Sequence, residues 1–144
     1  MQPSQGSFTS FLKRLLLRES IKHPRFQHED EVIEVLREFN FHIIRPEDHS
    51  FAEQVRIASQ ARYLVSNHGA GLTNMLFMGP GTNVLELRYV NDRVSNYFTL
   101  ASALSLNYFY QSCEPANRAE DPHTADLKVD ARALRANLEL MLAS

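Results

Sequence analysis

The sequence predicts an α/β fold in which a parallel sheet is covered by helices on both faces. Short apolar runs alternate with segments in which apolar residues recur every three or four positions, and this alternation is typical of parallel sheets. The length of 144 residues suits one domain with its own hydrophobic core. Right-handed crossovers then give a doubly wound sheet, in which ligands bind outside the carboxyl ends of the strands.

Three strands and two helices are predicted in the first half of the chain. The strands are short aliphatic or aromatic runs, and the helices show apolar residues at helical spacing. The predicted strands are residues 15–17, 41–44 and 63–65, and the predicted helices are residues 29–39 and 51–61. The second helix has a capping box, because Glu53 follows Ser50 by three positions.

The second half continues the alternation and ends in a helix. A short helix is followed by a strand, a helix, a strand, a polar linker and a last helix. These elements are residues 69–78, 84–87, 94–104, 108–110, 114–122 and 125–142. The last helix is predicted from four leucines in helical register: Leu127, Leu134, Leu138 and Leu142. We divide the chain into an N-terminal extension, a ligand-binding domain, and a linker with a helix that packs on this domain: residues 1–14, 15–112 and 113–144.

Composition and charge narrow the class of protein. The net charge of −2 argues against a general attraction to nucleic acid. The single cysteine, Cys113, cannot form an intrachain disulfide, which fits a reducing compartment. The longest apolar runs are shorter than the roughly 20 residues that span a bilayer, and residues 1–6 show no signal-peptide pattern. We therefore predict a cytoplasmic protein without a transmembrane segment, with peripheral membrane association as an alternative.

Four of the five glycines lie in one short stretch: Gly69, Gly71, Gly79 and Gly81. The predicted strand 63–65 enters this stretch, and the predicted strand 84–87 leaves it. Glycine allows the backbone to turn sharply or to approach another group closely. A strand, a glycine turn and a helix start form an anion site, because backbone N–H groups and the helix dipole point at the same place. The stretch therefore predicts an anion-binding turn.

Polar residues beside this turn are candidates for contact with the anion. His68 begins the turn, and a protonated imidazole there can donate to a phosphate oxygen. Thr73 lies in the first turn of the following helix and offers a hydroxyl donor. Each residue also has an ordinary interpretation: His68 can be a packed or surface histidine, and Thr73 can be a helix-start threonine. His68 is also the local candidate for a catalytic base.

Charged residues at two other predicted strands complete the candidate site. Arg18 follows the first strand, and Lys22 and Arg25 lie in the loop after it. Arginine neutralises a diphosphate leaving group with its bidentate guanidinium, and solvated loop charges are the alternative. Glu86 lies in the hydrophobic strand 84–87, where a buried acid needs a partner. A ribose diol and an arginine of the fold are the two partners considered.

Two further interpretations of the turn compete with a diphosphate site. Gly69, Gly71 and Asn74 follow the spacing of a dinucleotide fingerprint, but asparagine replaces its third glycine or alanine. The turn also follows an inner strand instead of opening the first strand–helix unit. A structural turn without a ligand is the other alternative. No cluster with metal-ligand spacing stands out in the sequence, so no metal site is predicted.

A long run around the glycines is similar to the signature of family 61 glycosyltransferases. It extends from His68 to Leu87 and reads HGAGLTNMLFMGPGTNVLEL. Three other segments also resemble the family: Arg18 and Arg25 before the acidic residues 29–31, residues 50–54, and residues 97–108. The resemblance covers roughly residues 15–112.

The resemblance implies a GT-B type glycosyltransferase, in which two Rossmann-like domains face each other across a cleft. This chain is then the C-terminal half, which holds the donor, and the acceptor domain is separate or missing. The implied reaction is inverting and metal-independent and needs no cofactor. It moves a sugar from a nucleotide-diphosphate donor, a UDP-sugar above all, to a hydroxyl group. The implied acceptor is a glycan, such as a capsular polysaccharide, or a protein-linked hydroxyl group.

The resemblance also implies roles for individual residues. The arginines and the backbone of the turn hold the diphosphate with the histidine close by, and the glutamate lies near the ribose or the base. The donor-binding residues implied in this way are Arg18, Arg25, His68, Gly69, Ala70, Gly71, Leu72, Thr73 and Glu86. Because the chain corresponds to one domain, a non-catalytic nucleotide-sugar-binding or scaffold domain is the alternative function. A dinucleotide-binding domain is a further one.

Overall fold

The computed structural model describes residues 14–17, 26–118 and 125–144, and for residues 14–17 it describes the backbone alone. These residues form a sheet of six strands with helices on both faces. The strands are β1 (Arg14–Leu17), β2 (His42–Ile44), β3 (Tyr63–Asn67), β4 (Asn83–Tyr89), β5 (Asn107–Pro115) and β6 (Leu127–Lys128). The helices are α1 (Glu29–Glu38), α2 (Phe51–Gln60), α3 (Asn96–Ala103) and α4 (Ala131–Leu142), with 3₁₀ helices at Pro46–Asp48 and Ala70–Phe77. The second 3₁₀ helix is called the turn helix below.

The strand order is β2-β1-β3-β4-β5-β6, and strands β1 to β5 are parallel, which confirms the predicted α/β class. Leu16 of β1 pairs with Ile43 on one side and with Val65 on the other, so β1 lies between β2 and β3. The chain therefore builds the sheet in one direction from β1 to β2 and in the other direction from β3 onward. Such a reversal creates a crevice at the carboxyl ends of the strands.

Two clusters of buried apolar side chains fill the space on the two faces of the sheet. Val65 and Leu85 pack with α1 and α4 on one face. Leu64 and Val84 pack with α2, the turn helix and α3 on the other face. Neighbouring residues take opposite faces because side chains alternate along a strand. The central strands are therefore continuous apolar runs, as expected for a sheet that is covered on both sides.

Helices α1 and α4 lie on the same face of the sheet and also contact each other. Leu36 of α1 and Leu138 of α4 are fully buried in the same cluster. At the surface, Arg135 donates two hydrogen bonds to the carboxylate of Glu38, at 2.9 and 3.0 Å. The hydrogen bond from Arg135 holds the pKa of Glu38 below its ordinary value.

The last helix begins later than the leucine spacing predicts, so this part of the prediction is wrong. α4 begins at Ala131, after Asp130, whose side chain accepts a hydrogen bond from the backbone N–H of Ala133 at 2.9 Å. Leu127 lies instead in β6, which pairs antiparallel with the end of β5. Its carbonyl also accepts a hydrogen bond from the N–H of Gln27 at 2.8 Å. Pairing with two distant segments satisfies this backbone and outweighs the local helical spacing.

The other described strands and α-helices overlap their predicted positions, β2 is one residue shorter than predicted, and the 3₁₀ helix Pro46–Asp48 was not predicted. β3, β4 and β5 all extend beyond their apolar runs, and β5 passes through the predicted division at residues 112–113. The capping box of α2 is present, because the N–H of Ser50 donates to Glu53 at 2.8 Å and the N–H of Glu53 donates to the Ser50 hydroxyl at 3.2 Å. Within residues 26–118 and 125–144, no helix is long and apolar enough to cross a membrane. The cytoplasmic location stays a prediction.

Candidate functional site

The candidate site lies at the carboxyl edge of the sheet, where β3, β4 and β5 carry polar residues. β3 ends at Asn67, and the backbone N–H of His68 then donates to the carbonyl of Leu87 in β4 at 2.9 Å. Glu86 of β4 pairs in register with Ser66 of β3. Because the carboxyl ends of parallel strands meet at one edge, polar residues at or after the strand ends come together there.

A histidine and a glutamate form the centre of this site. Nδ1 of His68 lies 2.5 Å from Oε1 of Glu86. The side chain of Glu86 is 1% exposed and that of His68 is 24% exposed, so the imidazole lies between a buried carboxylate and the surface. Oε2 of Glu86 accepts a hydrogen bond from the hydroxyl of Tyr108 at 2.6 Å. Among the described residues, the partners of this acid are a histidine and a tyrosine, and its contact with a ribose stays a prediction.

Tyr108 lies between two charged groups. Its hydroxyl donates to Glu86 and lies 3.5 Å from Nη1 of Arg88. Burial raises the pKa of Tyr108, and the hydrogen bond to Glu86 raises it further, so the hydroxyl keeps its proton at neutral pH. Burial acts to lower the pKa of Arg88, but the hydrogen bond with Tyr108 and the charge of Glu86 outweigh this effect and raise it.

The loop between β4 and α3 brings a second carboxylate to the histidine. Oδ2 of Asp92 lies 3.7 Å from Nε2 of His68, and the side chain of Asp92 is 4% exposed. Oδ1 of Asp92 accepts a hydrogen bond from the backbone N–H of Val94 at 2.8 Å. The ring of Tyr97 on α3 contacts the imidazole edge-on, with ring centroids 5.0 Å apart. The imidazole therefore has a carboxylate beside each of its two nitrogens.

The glycine turn leads from β3 directly into the turn helix. Gly69 has φ 163° and ψ −178°, an extended conformation that any residue adopts, so its backbone angles do not require glycine. The N–H of Leu72 donates to the carbonyl of Gly69 at 3.1 Å and closes the first turn. The side chain of Leu72 is fully buried, whereas Thr73 is exposed. A ligand at this turn can therefore contact Leu72 only through its backbone, whereas it can contact the side-chain hydroxyl of Thr73.

The glycine stretch divides into two parts with different positions. Asn74, at the third fingerprint position, donates from its side-chain amide to the carbonyl of Gly71 at 3.0 Å and supports the turn from within. Gly81 lies at the opposite edge of the sheet, just before β4, and its N–H donates to the carbonyl of Ser105 at 2.8 Å. Its φ of +78° is in the left-handed region that favours glycine. Of the four glycines, Gly69 and Gly71 belong to the candidate site.

The structure brings together the predicted site residues that follow β3 or lie in β4. His68, the segment Gly69–Thr73 and Glu86 meet at the same edge of the sheet. The predicted residues Arg18 and Arg25 fall outside the described residues, so their contacts with a diphosphate stay predictions.

Three residues of this site were not predicted from the sequence: Arg88, Asp92 and Tyr108. The alternation of side chains offers a signal for two of them, because Glu86 and Arg88 are two positions apart on one face of β4. Tyr108 pairs in register with Val84 and therefore takes the same face from β5. Asp92 has no comparable signal, because the path of a loop depends on its tertiary contacts.

Comparison with known protein families decides the class of this protein. Residues 9–85 match the family model described as Glycosyltransferase 61, which is more than half of the chain. The chain belongs to glycosyltransferase family 61. The part of this family 61 protein that matches the model includes β1, the glycine turn and the first residues of β4, so it contains one wall of the site described above.

Curated relatives of this family 61 chain carry the name protein O-linked-mannose beta-1,4-N-acetylglucosaminyltransferase 2. The Mus musculus protein is 35% identical over 108 residues, which are 72% of this chain and 17% of the relative. The Bos taurus protein is 43% identical over 82 residues, 53% of this chain and 14% of the relative. The Takifugu rubripes protein is 32% identical over 123 residues, 80% of this chain and 19% of the relative. The chain thus spans less than a fifth of the length of these relatives.

Proposed function

We propose that this chain is the donor-binding part of a glycosyltransferase that moves a sugar from a nucleotide-diphosphate donor to a hydroxyl group. The observation that carries the proposal is the His68–Glu86 pair at the carboxyl edge of the sheet, beside the start of the turn helix. Ligands of doubly wound sheets bind at this edge. Membership of family 61 supports the class of reaction.

His68 is the proposed base of the transfer. Its Nδ1 faces the carboxylate of Glu86, which holds the tautomer with the proton on Nδ1 and leaves the lone pair on Nε2. Nε2 takes the proton of the acceptor hydroxyl while the hydroxyl oxygen attacks the anomeric carbon. The bond from that carbon to the β-phosphate oxygen breaks, and its electron pair leaves with the nucleoside diphosphate. Attack from the side opposite the leaving group inverts the anomeric configuration.

The leaving diphosphate is proposed to lie at the start of the turn helix. The first backbone N–H groups of a helix have no partner within it, and together with the helix dipole they stabilise an anion. The segment Gly69–Thr73 is proposed to contact the diphosphate through its backbone, apart from the N–H of Leu72, which donates to the carbonyl of Gly69. The exposed Thr73 adds a hydroxyl. Arg18 and Arg25 are proposed to add the positive charge that a metal ion would otherwise contribute.

The relatives suggest the sugar and the acceptor. Their shared name describes the transfer of N-acetylglucosamine in a β-1,4 linkage to O-linked mannose. We propose the same sugar, carried by UDP, and the same acceptor for this protein, in preference to a capsular polysaccharide. In a GT-B arrangement, the acceptor then lies on a second domain that faces the carboxyl edge of this sheet.

Calorimetric titration with UDP, UDP-N-acetylglucosamine and NAD tests the donor assignment. We expect UDP and the UDP-sugar to bind and NAD to show no binding. Gly71→Ala is expected to weaken the binding of UDP, because Gly71 is buried in the turn. Gly79→Ala is the matched control, since a methyl group at that position meets no atom within 4 Å. Binding of NAD in preference to UDP would contradict the proposal.

Transfer of N-acetylglucosamine to an O-mannosylated peptide tests the reaction itself, and it is measured with a protein that also carries the proposed acceptor domain. His68→Gln is expected to lower kcat by about 10²-fold or more, which is the usual contribution of a general base. His49→Gln is the matched control, because His49 lies before α2 and contacts Glu53 instead of the site. Unchanged turnover in His68→Gln would rule out His68 as the base.

A further inference from the structure

An arginine fastens the loop between β4 and α3 to the sheet. Nη2 of Arg88 donates to the carbonyl of Asp92 at 2.9 Å and to the carbonyl of Val94 at 2.6 Å. The side chain of Arg88 is 12% exposed, so water competes little for these hydrogen bonds. Hydrogen bonds from a charged donor are stronger than those between neutral groups. One guanidinium therefore fixes two points of the loop.

The position of the Asp92 carboxylate depends on this loop. Its Oδ1 accepts a hydrogen bond from the N–H of Val94 at 2.8 Å and lies 3.8 Å from Nη2 of Arg88. Its Oδ2 faces Nε2 of His68 at 3.7 Å. Asp92 lies beyond the end of β4, so strand geometry does not aim its side chain at the histidine. The contacts of the loop hold it there.

These contacts close a ring of five side chains. Tyr108 binds Glu86, and Glu86 contacts His68. His68 in turn faces Asp92. Arg88 completes the ring, because it contacts both Asp92 and Tyr108. The ring thus contains two carboxylates, one guanidinium, one phenol and one imidazole.

We propose that Arg88 is a positioning residue that holds Asp92 opposite Nε2 of His68, so that the imidazole lies between two carboxylates. The inference rests on the proposed function in one respect, that Nε2 takes the proton of the acceptor. Once Nε2 has taken this proton, both ring nitrogens of His68 carry N–H groups, and each N–H faces a carboxylate. Among the residues that the structure describes, the groups that face His68 are Glu86 from β4, Asp92 from the loop and the ring of Tyr97 from α3.

Limited digestion with trypsin tests whether Arg88 holds the loop. Arg93 is exposed between the two residues that Arg88 binds, so cleavage of the bond after Arg93 requires the loop to leave the sheet. Arg88→Gln is expected to be cut at this bond at least about tenfold faster than the wild type, because proteases cut locally opened states. Asp92→Asn is the matched control and is expected to resist cleavage, since its amide oxygen can still accept from Val94.

NMR signals of the His68 ring, assigned by their loss in His68→Gln, test whether the effect reaches the imidazole. Arg88→Gln and Asp92→Asn are expected to shift these signals in the same direction. The double variant adds no further shift, because both changes remove the same carboxylate from the histidine. Arg132→Gln, at an exposed position of α4, is the charge-matched control and leaves the signals unchanged. An unchanged cleavage rate or unmoved His68 signals in Arg88→Gln would overturn the proposal.

Neither measurement depends on transfer activity. A wild-type chain that binds neither UDP nor the UDP-sugar but shows both effects contradicts the proposed function and leaves the role of Arg88 in holding Asp92 intact. Where transfer is measured, kcat of Arg88→Gln and of Asp92→Asn is expected to fall by a similar factor, about tenfold, as for a misplaced catalytic group. The KM for the donor stays unchanged, because neither residue lies at the start of the turn helix.

Discussion

The hydroxyl of Tyr108 donates a hydrogen bond of 2.6 Å to Glu86, a carboxylate whose side chain is 1% exposed. A buried carboxylate needs hydrogen-bond donors, because burial removes the water that would solvate its charge. Tyr108 supplies one donor, and Nδ1 of His68 faces the other oxygen. The contact between β4 and β5 that stabilises the sheet is thus the same contact that fixes the partner of the imidazole.

Removing this hydroxyl is expected to destabilise the fold. Tyr108→Phe leaves one oxygen of the buried Glu86 carboxylate without its donor, which costs about 1–3 kcal/mol. Urea denaturation measures the loss as a lower midpoint at an unchanged slope. Tyr110→Phe is the matched control on the same strand, because Tyr110 is 59% exposed. Equal losses in the two variants would show that the bond to Glu86 adds no net stability.

The same bond predicts how stability changes at alkaline pH. Burial and the hydrogen bond to Glu86 raise the pKa of Tyr108 in the folded state above the ordinary value of 10.0. The unfolded chain therefore loses this proton first, so the stabilising effect is complete below about pH 10 and is lost as the pH rises above it. The unfolding free energy of the wild type is expected to fall more steeply above pH 10 than that of Tyr108→Phe. Parallel curves would contradict a raised pKa.

Glu86→Gln is expected to reduce sugar transfer while it preserves the shape of the site. The amide keeps an acceptor for Nδ1 of His68 but removes the negative charge that stabilises a protonated imidazole. We expect kcat to fall by about 10²-fold or more, in line with the loss of general-base catalysis. Glu139→Gln, at an exposed position of α4, is the control. A transfer assay that finds equal kcat values for the two variants would remove the pair from the mechanism.

The single cysteine reports on the packing beneath α4. Cys113 is 2% exposed, and burial raises the pKa of its thiol to about 12. Because the thiolate is the reactive form, native protein at neutral pH is expected to react with iodoacetamide about a thousandfold more slowly than unfolded protein. Mass spectrometry of the adduct measures both rates, with urea-unfolded chain as the reference. Rapid labelling of the native chain would show that this part of β5 is open to solvent.

Two leucines of α4 separate core packing from surface exposure within one helix. Leu138 is fully buried against the sheet and α1, whereas Leu140 is 60% exposed. Leu138→Ala is expected to lower the unfolding free energy by about 2–5 kcal/mol, because it removes buried surface and leaves a cavity. Leu140→Ala is expected to change it by less than about 0.5 kcal/mol. Similar losses in the two variants, measured by urea denaturation, would contradict this orientation of α4.

The helix start whose signal lies in neighbouring residues was confirmed, whereas the start predicted from leucine spacing was wrong because a distant strand pairs there. The capping box joins Ser50 and Glu53 within one turn of helix, so its signal is complete in the local sequence. Leu127 has the same helical spacing as the leucines of α4, but it pairs with Pro115 and forms a bridge with Phe26. Spacing along the chain carries no information about which segment lies alongside, and this pairing decided the structure of residues 127–128.

The sequence by itself determined the α/β class, the turn that His68 begins and the membership of family 61, because these depend on local apolar runs and on one continuous motif. Tertiary structure alone decided what Glu86 binds. Its partners lie 18 positions before it and 22 positions after it, and the register of β3, β4 and β5 brings all three side chains to one edge. Burial made a partner necessary, whereas the packing of the strands selected His68 and Tyr108.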